Sequence, residues 1–142
     1  MTKTELLAFL RSHHDAVQSS ISEQGAVQSA LVAVAFSDEL EIIFDTVATT
    51  RKAINLKTNP HISLVIGGWI SGDERSVQYE GIADFPENDE LQRVKNVYFS
   101  ALPDGIARQS WPGITYVRCK PTWIRYSNFN VTPAEVAEFT FP

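Results

Sequence analysis

The sequence contains a single cysteine, Cys119, and no apolar run long enough to cross a bilayer. One cysteine excludes an internal disulfide framework and a cysteine-rich zinc site. A transmembrane helix needs about 20 consecutive apolar residues, and the apolar stretches Ser29 to Phe36 and His61 to Ile70 are about half that length. The N-terminus lacks a basic segment followed by an apolar one, so we expect no secretory signal and a cytoplasmic location.

Positive charge is also scarce. The chain has 12 Lys and Arg against 17 Asp and Glu, which gives a formal net charge of −5. Such a surface repels a nucleic-acid backbone, so nucleic acid is not an expected partner. The 142 residues, 44% of them hydrophobic, suffice for one globular domain over residues 1–142 without disulfides or structural metal.

Residues suited to metal binding or hydrolysis are few. The three histidines are His13, His14 and His61, and none stands three or four residues from another with a carboxylate partner, so we predict no metal site. No serine lies in a Gly-x-Ser-x-Gly elbow. Cys119 lies between Arg118 and Lys120, and its simplest role is that of a small structural residue.

Strand patterns with short helices between them run along the chain. The predicted elements are a helix over Lys3–His13, a hairpin of strands Gln28–Phe36 and Glu39–Asp45, a helix opening near Thr49 and ending at Asn59, a second hairpin of His61–Trp69 and Ser76–Phe85, a helix capped by Asn88, a loop over Ser100–Gly113, and strands Ile114–Lys120 and Trp123–Ser127. Consecutive strands without strand–helix–strand alternation predict a mainly β (β+α) fold, a six-stranded antiparallel barrel with short inserted helices. The polar stretch Gln18–Gln28 is expected to be mobile.

The segment richest in chemistry is the start of the second predicted helix. Thr50, Arg51 and Lys52 bring a hydroxyl, a guanidinium and an ammonium to its first turn. Cations there oppose the helix dipole, whereas free N–H groups at a helix start attract anions. A bound phosphate would resolve this conflict, and Arg51 can grip two of its oxygens. The alternative is a pair of solvated surface charges without a ligand.

The same segment resembles a known family. The run from Phe44 to Leu64 reads FDTVATTRKAINLKTNPHISL, and it is similar to the signature of the pyridoxamine 5′-phosphate oxidase family of flavin mononucleotide (FMN)-binding split barrels. In that family an aromatic-x-Thr ends a strand, Ser/Thr-Arg-Lys opens a short helix, and Asn-Pro closes it. The resemblance extends from Leu6 to Tyr126 through the RSVQYEGIA strand at Arg75 and the YVRCKPTWIRY segment at Tyr116.

The resemblance implies a split barrel that forms a homodimer with FMN in a cleft between the subunits. Thr50, Arg51 and Lys52 would hold the phosphate, with Thr46 nearby. Gln28 and Ser29 would lie on the strand that passes the isoalloxazine ring, where oxidases of the family often have arginine. Ser76 stands where many relatives have glutamine, and Gln78 is a substitute on the same face. The partner chain would contribute Trp123 or Arg125, although Trp123 is also the kind of aromatic that seals a barrel end.

The implied function is an FMN-dependent oxidoreductase acting on an unidentified small molecule. True pyridoxamine-phosphate oxidases end in an Arg-x-His element, which is absent after Trp123, so we do not expect pyridoxal phosphate as the product. The loop Leu102–Pro112 is either a lid whose Arg108 and Trp111 contact substrate or a plain surface loop. Two alternatives stay open: a non-catalytic flavin-binding or sensing module, and a deazaflavin-dependent reductase of the same barrel family.

Overall fold

The computed structural model describes residues 1–142 as a sheet of eight strands with four helices around it. The strands are β1 (Asp15–Ile21), β2 (Val27–Ala33), β3 (Ala35–Phe36), β4 (Ile42–Val47), β5 (His61–Gly67), β6 (Arg75–Asp84), β7 (Ile114–Asn128) and β8 (Glu135–Thr140). The helices are α1 (Lys3–Arg11), α2 (Arg51–Thr58), α3 (Asn88–Ala101) and α4 (Gly105–Arg108). No helix combines the length and the apolar character needed to cross a membrane.

Every strand pairing in the sheet is antiparallel. The order is β2-β1-β5-β6-β7-β4-β3, and β8 pairs with the second half of β7. The sheet curls so that β2 approaches β4, which closes the barrel around one hydrophobic core. The predicted mainly β, antiparallel split barrel is confirmed, with eight strands instead of six.

Strand alternation builds the core. Inward-facing side chains such as Phe44, Ile66, Val77 and Ile124 are fully buried, and outward-facing neighbours are exposed. Cys119 is also fully buried, and burial raises the pKa of its thiol. It is therefore an inert core residue, as the sequence indicated.

Three strand predictions were wrong. The stretch Gln18–Gln28, expected to be mobile, contains the second half of β1 and the start of β2. The predicted strand Gln28–Phe36 is two strands: β2 pairs with β1, and only the short β3 pairs with β4. The third error was to overlook β8 altogether.

A further correction concerns β7, which runs without interruption through Pro121. β7 contains a β-bulge opposite Glu80 and Gly81 of β6, because Glu80 pairs with Trp123 while Gly81 pairs with Pro121. Thr122 is left between the two pairs, and its hydroxyl donates to the Glu80 carbonyl at 3.1 Å. The bulge thus lies next to Pro121, which has no N–H group to donate to the strand ladder.

Helix ends were predicted with mixed success. Thr2 and Glu5 form the expected capping box of α1. Helix α3, however, is not capped by Asn88: the N-cap is Glu87, and Asn88 has a positive φ of 55° as the first helical residue. Asn88 therefore adopts a left-handed backbone conformation, which asparagine tolerates better than most residue types, and its side chain does not cap the helix.

A buried arginine joins the sheet to α3. Arg118 of β7 donates to both carboxylate oxygens of Asp84, at 2.9 and 2.6 Å, and to Glu90 Oε1 at 2.7 Å. Arg93 donates to Glu41 at 2.9 Å and to Glu90 at 2.8 Å. These charges form one network between two layers of the fold.

Candidate anion-binding site at the start of α2

The β4–α2 connection holds two threonines against each other. Thr50 is the N-cap of α2, and its Oγ1 accepts from the Ala53 amide at 3.3 Å. The Oγ1 atoms of Thr46 and Thr50 are 2.8 Å apart. The sequence pattern therefore forms the predicted strand–turn–helix unit, with the free N–H groups of the helix start beside two hydroxyls.

Neither Arg51 nor Lys52, adjacent at the start of α2, forms an ion pair with a carboxylate. Every other arginine forms an ion pair with Asp or Glu, and Arg51 forms none. Lys52 is half-buried, and burial lowers the pKa of its ammonium group. The first turn of α2 contains no acidic residue. This helix start thus carries unbalanced positive charge, which is suited to an anion.

A cleft of about 110 Å³ opens beside these two cations. Its other walls come from the β1–β2 hairpin: the inward-facing Gln18, Ser20, Gln28 and Ala30, together with Ser29, which belongs to the outer face. Buried Asn55 of α2 orders this wall by donating to Ser20 Oγ at 3.0 Å and to Gln28 Oε1 at 2.9 Å. Arg51, Lys52, Gln28 and Ser29, singled out separately in the sequence, thus meet at one cleft.

Four other predicted site residues lie elsewhere on the sheet. Ser76 and Gln78 share one face of β6, and Gln78 is exposed. Trp123 and Arg125 lie on β7, where Glu138 of β8 accepts from Trp123 Nε1 at 3.4 Å and from Arg125 Nη1 at 2.9 Å. None of the four lines the cleft at α2. The cofactor-binding role of Ser76, Gln78 and Trp123, and the contact of Arg125 with substrate, stay predictions.

The two residues proposed for a substrate lid have different surroundings. Arg108 Nε donates to Asp45 Oδ2 and Nη1 donates to Asp104 Oδ2, both at 2.8 Å. Burial, with the nearby Asp45 carboxylate, raises the pKa of Tyr98 to about 12. The protonated phenol donates to Asp45 Oδ1 at 3.2 Å. Trp111, in contrast, is half exposed. Arg108 therefore fastens α4 to β4 beside Thr46, and any contact of either residue with substrate stays a prediction.

This fastening is testable by substitution. We expect Arg108→Leu to lower the free energy of unfolding by about 1–3 kcal/mol, because Asp45 would keep a nearly buried charge without its guanidinium partner. Urea unfolding followed by tryptophan fluorescence measures this. Arg108→Lys keeps the charge and should recover part of the loss. Wild-type stability in Arg108→Leu would show that the ion pair does not hold α4 in place.

Three polar residues of this region were not predicted from the sequence: Gln18, Ser20 and Asn55. Gln18 and Ser20 are almost completely buried and face inward from β1. The sequence carries no strand signal here, because Ala16-Val17-Gln18-Ser19-Ser20-Ile21 does not alternate between apolar and polar residues, although its side chains alternate between buried and partly exposed positions. Polar residues at inward strand positions are what a binding cleft requires.

Comparison with known proteins relates this fold and site to a family. In three dimensions the chain is similar to a heme binding protein from Mycobacterium smegmatis, with a TM-score of 0.82 at 14% identity, covering 99% of this chain and 58% of that one. A putative pyridoxamine 5′-phosphate oxidase from Listeria innocua gives 0.72 at 18% identity over 91% of this chain and 98% of that one. A pyridoxamine 5′-phosphate oxidase-related, FMN binding protein from Nostoc punctiforme gives 0.69 at 10% identity over 98% and 94%.

These identities are too low to show more than a shared fold. A sequence search of curated proteins returned no match. The family model described as pyridoxamine 5′-phosphate oxidase, however, matches residues 2–128, which include both sides of the cleft and the whole β4–α2 unit. By this match, over nearly the full length, the chain belongs to the pyridoxamine 5′-phosphate oxidase family.

Proposed function

We propose that the chain binds FMN with its phosphate at the start of α2. The observation that carries this proposal is the unbalanced charge there: Arg51 is the arginine without an ion pair, and half-buried Lys52 has no carboxylate partner. A phosphate dianion would neutralise both cations. It would also accept from N–H groups of the first helical turn and lie beside the Thr46 and Thr50 hydroxyls. The donor set present therefore fits a phosphate ester.

The cleft is large enough for only one part of such a ligand. A volume of about 110 Å³ corresponds to a few water molecules, enough for a phosphate and the adjoining carbon chain. It is too small for three fused rings. The isoalloxazine ring would therefore extend out of the cleft along β2, past Ser29, onto the outer face of the sheet.

By the register of the sheet, the other predicted cofactor and substrate residues lie far from this position of the ring. Ser29, Ser19, Ser63, Glu80 and Trp123 are successive neighbours across β2, β1, β5, β6 and β7. Four strand spacings place Trp123 about 19 Å from Ser29 along the sheet, which is farther than one isoalloxazine ring extends. Trp123 and Arg125 would thus reach the same flavin only from a second subunit, as would Ser76 and Gln78 of β6.

The outer face has the composition of a surface that a second copy covers. Val27 and Leu31 of β2 are 72% and 66% exposed, and Val65 of β5 is 44% exposed. Leu31, Val17 and Val65 are consecutive neighbours across three strands, so they form an apolar row. The next two positions across the sheet are polar, Gln78 of β6 and Arg125 of β7. We propose a two-fold dimer through this face, with one cofactor site at each end of the interface.

When bound, FMN supplies the hydride or electron transfer. The residues of this chain bind the phosphate, orient the ring and, in the dimer, shield it from water. The cleft offers no carboxylate or histidine as an acid or base. We therefore propose an FMN-dependent oxidoreductase that acts on a small molecule.

The absorption spectrum of the purified protein, with mass spectrometry of whatever denaturation releases, tests cofactor identity. We expect a flavin spectrum and the mass of FMN. A deazaflavin mass would favour the reductase alternative, and a colourless protein that does not take up added FMN would contradict the proposal. Anaerobic reduction by nicotinamide coenzymes and reoxidation by oxygen then separate a catalyst from a flavin carrier.

Heme is the second candidate, and one observation favours it. His61 lies on the outer face in a groove of about 390 Å³ with Ile21, Val27 and Ile62. The only ionisable groups lining this groove are His61 and Glu80, so no cation is available for heme propionates. The charges at Arg51 and Lys52 favour FMN instead. A Soret band in the spectrum above would reverse this preference.

The proposed dimer gives a separate prediction. Val65→Asp should raise the dimer dissociation constant at least about hundredfold, because each interface would bury two unpaired carboxylates. Analytical ultracentrifugation measures the association, and flavin content should fall with it. The matched control is Ile106→Asp, which adds the same charge at an exposed apolar residue of α4, away from the sheet face. A Val65→Asp dimer with full flavin content would contradict the proposed interface.

A further inference from the structure

Gln18 is a buried amide with an unused hydrogen-bond acceptor. It lies in the middle of β1 between Ala30 and Leu64 of the flanking strands, and only 1% of its surface is exposed. No group of the protein donates to its Oε1. Buried polar atoms are almost always paired, so each exception requires an explanation.

The other polar side chains of this wall of the cleft have hydrogen-bond partners within the protein. Asn55 donates to both Ser20 and Gln28 through its amide nitrogen. Ser19 and Ser29 bond to each other at 2.8 Å on the outer face. Gln18 alone among these side chains retains a buried acceptor without a donor, and it lines the same cleft as Arg51 and Lys52.

A glutamine at this position disfavours the folded protein unless a donor is supplied. The inward face of a core strand ordinarily carries an apolar residue, and leucine there would leave no acceptor unpaired. Arg51 and Lys52 account for the anionic part of a ligand, but an anion accepts hydrogen bonds and donates none to Gln18. The missing partner must therefore be a hydroxyl or another donor next to the anion.

We infer that Gln18 Oε1 accepts a hydrogen bond from a hydroxyl group on the carbon chain that carries the bound phosphate. The cleft then selects a phosphorylated polyol over inorganic phosphate or a phosphorylated alkyl chain. This inference rests on the proposed function, in which the chain is the ribityl phosphate of FMN. Gln18 is thereby a specificity-determining residue, separate from the cations that supply most of the affinity.

The test compares ligands with and without hydroxyl groups on wild type and Gln18→Leu. The probes are FMN, inorganic phosphate as a competitor, and a flavin phosphate whose side chain is an unsubstituted pentyl phosphate. Gln18→Leu should weaken FMN binding by a factor of about five to ten, as loss of one neutral hydrogen bond does. It should leave the affinities for phosphate and for the pentyl analogue unchanged. The melting temperature of the ligand-free variant should equal or exceed that of wild type.

A matched control removes the other buried unpaired polar atom, the hydroxyl of Tyr116. Tyr116→Phe lies outside the cleft, so it should retain or raise stability and leave FMN affinity unchanged. Gln18→Met keeps the length of the side chain without its acceptor and repeats the measurement if the leucine variant does not fold.

The outcomes distinguish failure of this inference from failure of the proposed FMN binding. If wild type fails to bind FMN, the proposed function fails. If wild type binds FMN and the Gln18 variants bind it equally well, a resident water satisfies Gln18 and the inference is overturned. Equal losses for FMN and the pentyl analogue overturn it too, because the effect would then be one of packing and not of the hydroxyl.

Discussion

Replacing Arg51 and Lys52 together by alanine is expected to weaken FMN binding by about two to four orders of magnitude. Charge-assisted hydrogen bonds to a phosphate contribute about 1.5–3 kcal/mol each, and in the proposed site the two residues would supply separate contacts. Neither side chain has a carboxylate partner in the ligand-free protein, so the loss would not be offset by releasing an intramolecular ion pair. Fluorescence titration of the apoprotein with FMN measures the effect.

The same variant should be as stable without ligand as wild type, or slightly more stable. Two cations at a helix start oppose the dipole, and burial lowers the pKa of Lys52, which marks its charged form as unfavourable there. Lys57→Ala with Lys120→Ala is the matched control, since it removes two positive charges from exposed positions outside the cleft. Equal FMN affinity in the test and control variants would rule out the phosphate site.

Arg118→Leu is expected to lower the free energy of unfolding by about 3 kcal/mol. The guanidinium is 6% exposed and forms hydrogen bonds with Asp84 and Glu90, so its removal leaves clustered carboxylates without their central cation. Arg118→Lys keeps the charge but loses the two-pronged contact with Asp84, and we expect an intermediate loss. Chemical denaturation measures all three proteins.

The surface pair Arg125–Glu138 provides the contrast. Both side chains are well exposed, and Arg125→Leu should change the stability of the monomer by less than about 1 kcal/mol. If Arg118→Leu cost no more than Arg125→Leu, the buried network would contribute nothing beyond a surface pair.

The network also sets the acid sensitivity of the fold. Hydrogen bonds from Arg93 and Arg118 lower the pKa of Glu90 from its ordinary 4.5 to about 2. The stability that this carboxylate provides is therefore fully present above about pH 4.5 and is lost as the pH falls towards about 2. In Arg118→Leu the pKa of Glu90 should move back towards its ordinary value, which flattens the decline of stability over that interval. An unaltered pH profile would contradict this linkage.

The parts of the molecule that the sequence predicted well are those whose signals are local. Thr50 caps α2, Pro60 follows its end, and the strands on either side are rich in β-branched and aromatic residues. Each signal acts within a few residues, so it survives without knowledge of the tertiary structure. The split barrel followed from consecutive strands and from the family resemblance.

The errors have a common cause. β1 was overlooked because its inward residues Gln18 and Ser20 are polar, and their burial becomes explicable only beside Arg51 and Lys52 of another element. β8 was overlooked because its support is the pairing with β7. Local rules fail where function or a distant partner overrides them.

By itself the sequence determined the fold class, the helix start with two unbalanced cations and the family. The tertiary structure decided which residues meet. It placed Gln28 and Ser29 beside Arg51 and Lys52, kept Trp123 and Arg125 four strands from Ser29, and joined Arg108 to Asp45. The physical reason is that charge, capping and strand period act along the chain, whereas sheet register and burial depend on residues far apart in sequence. A cleft and an outer face are products of that register.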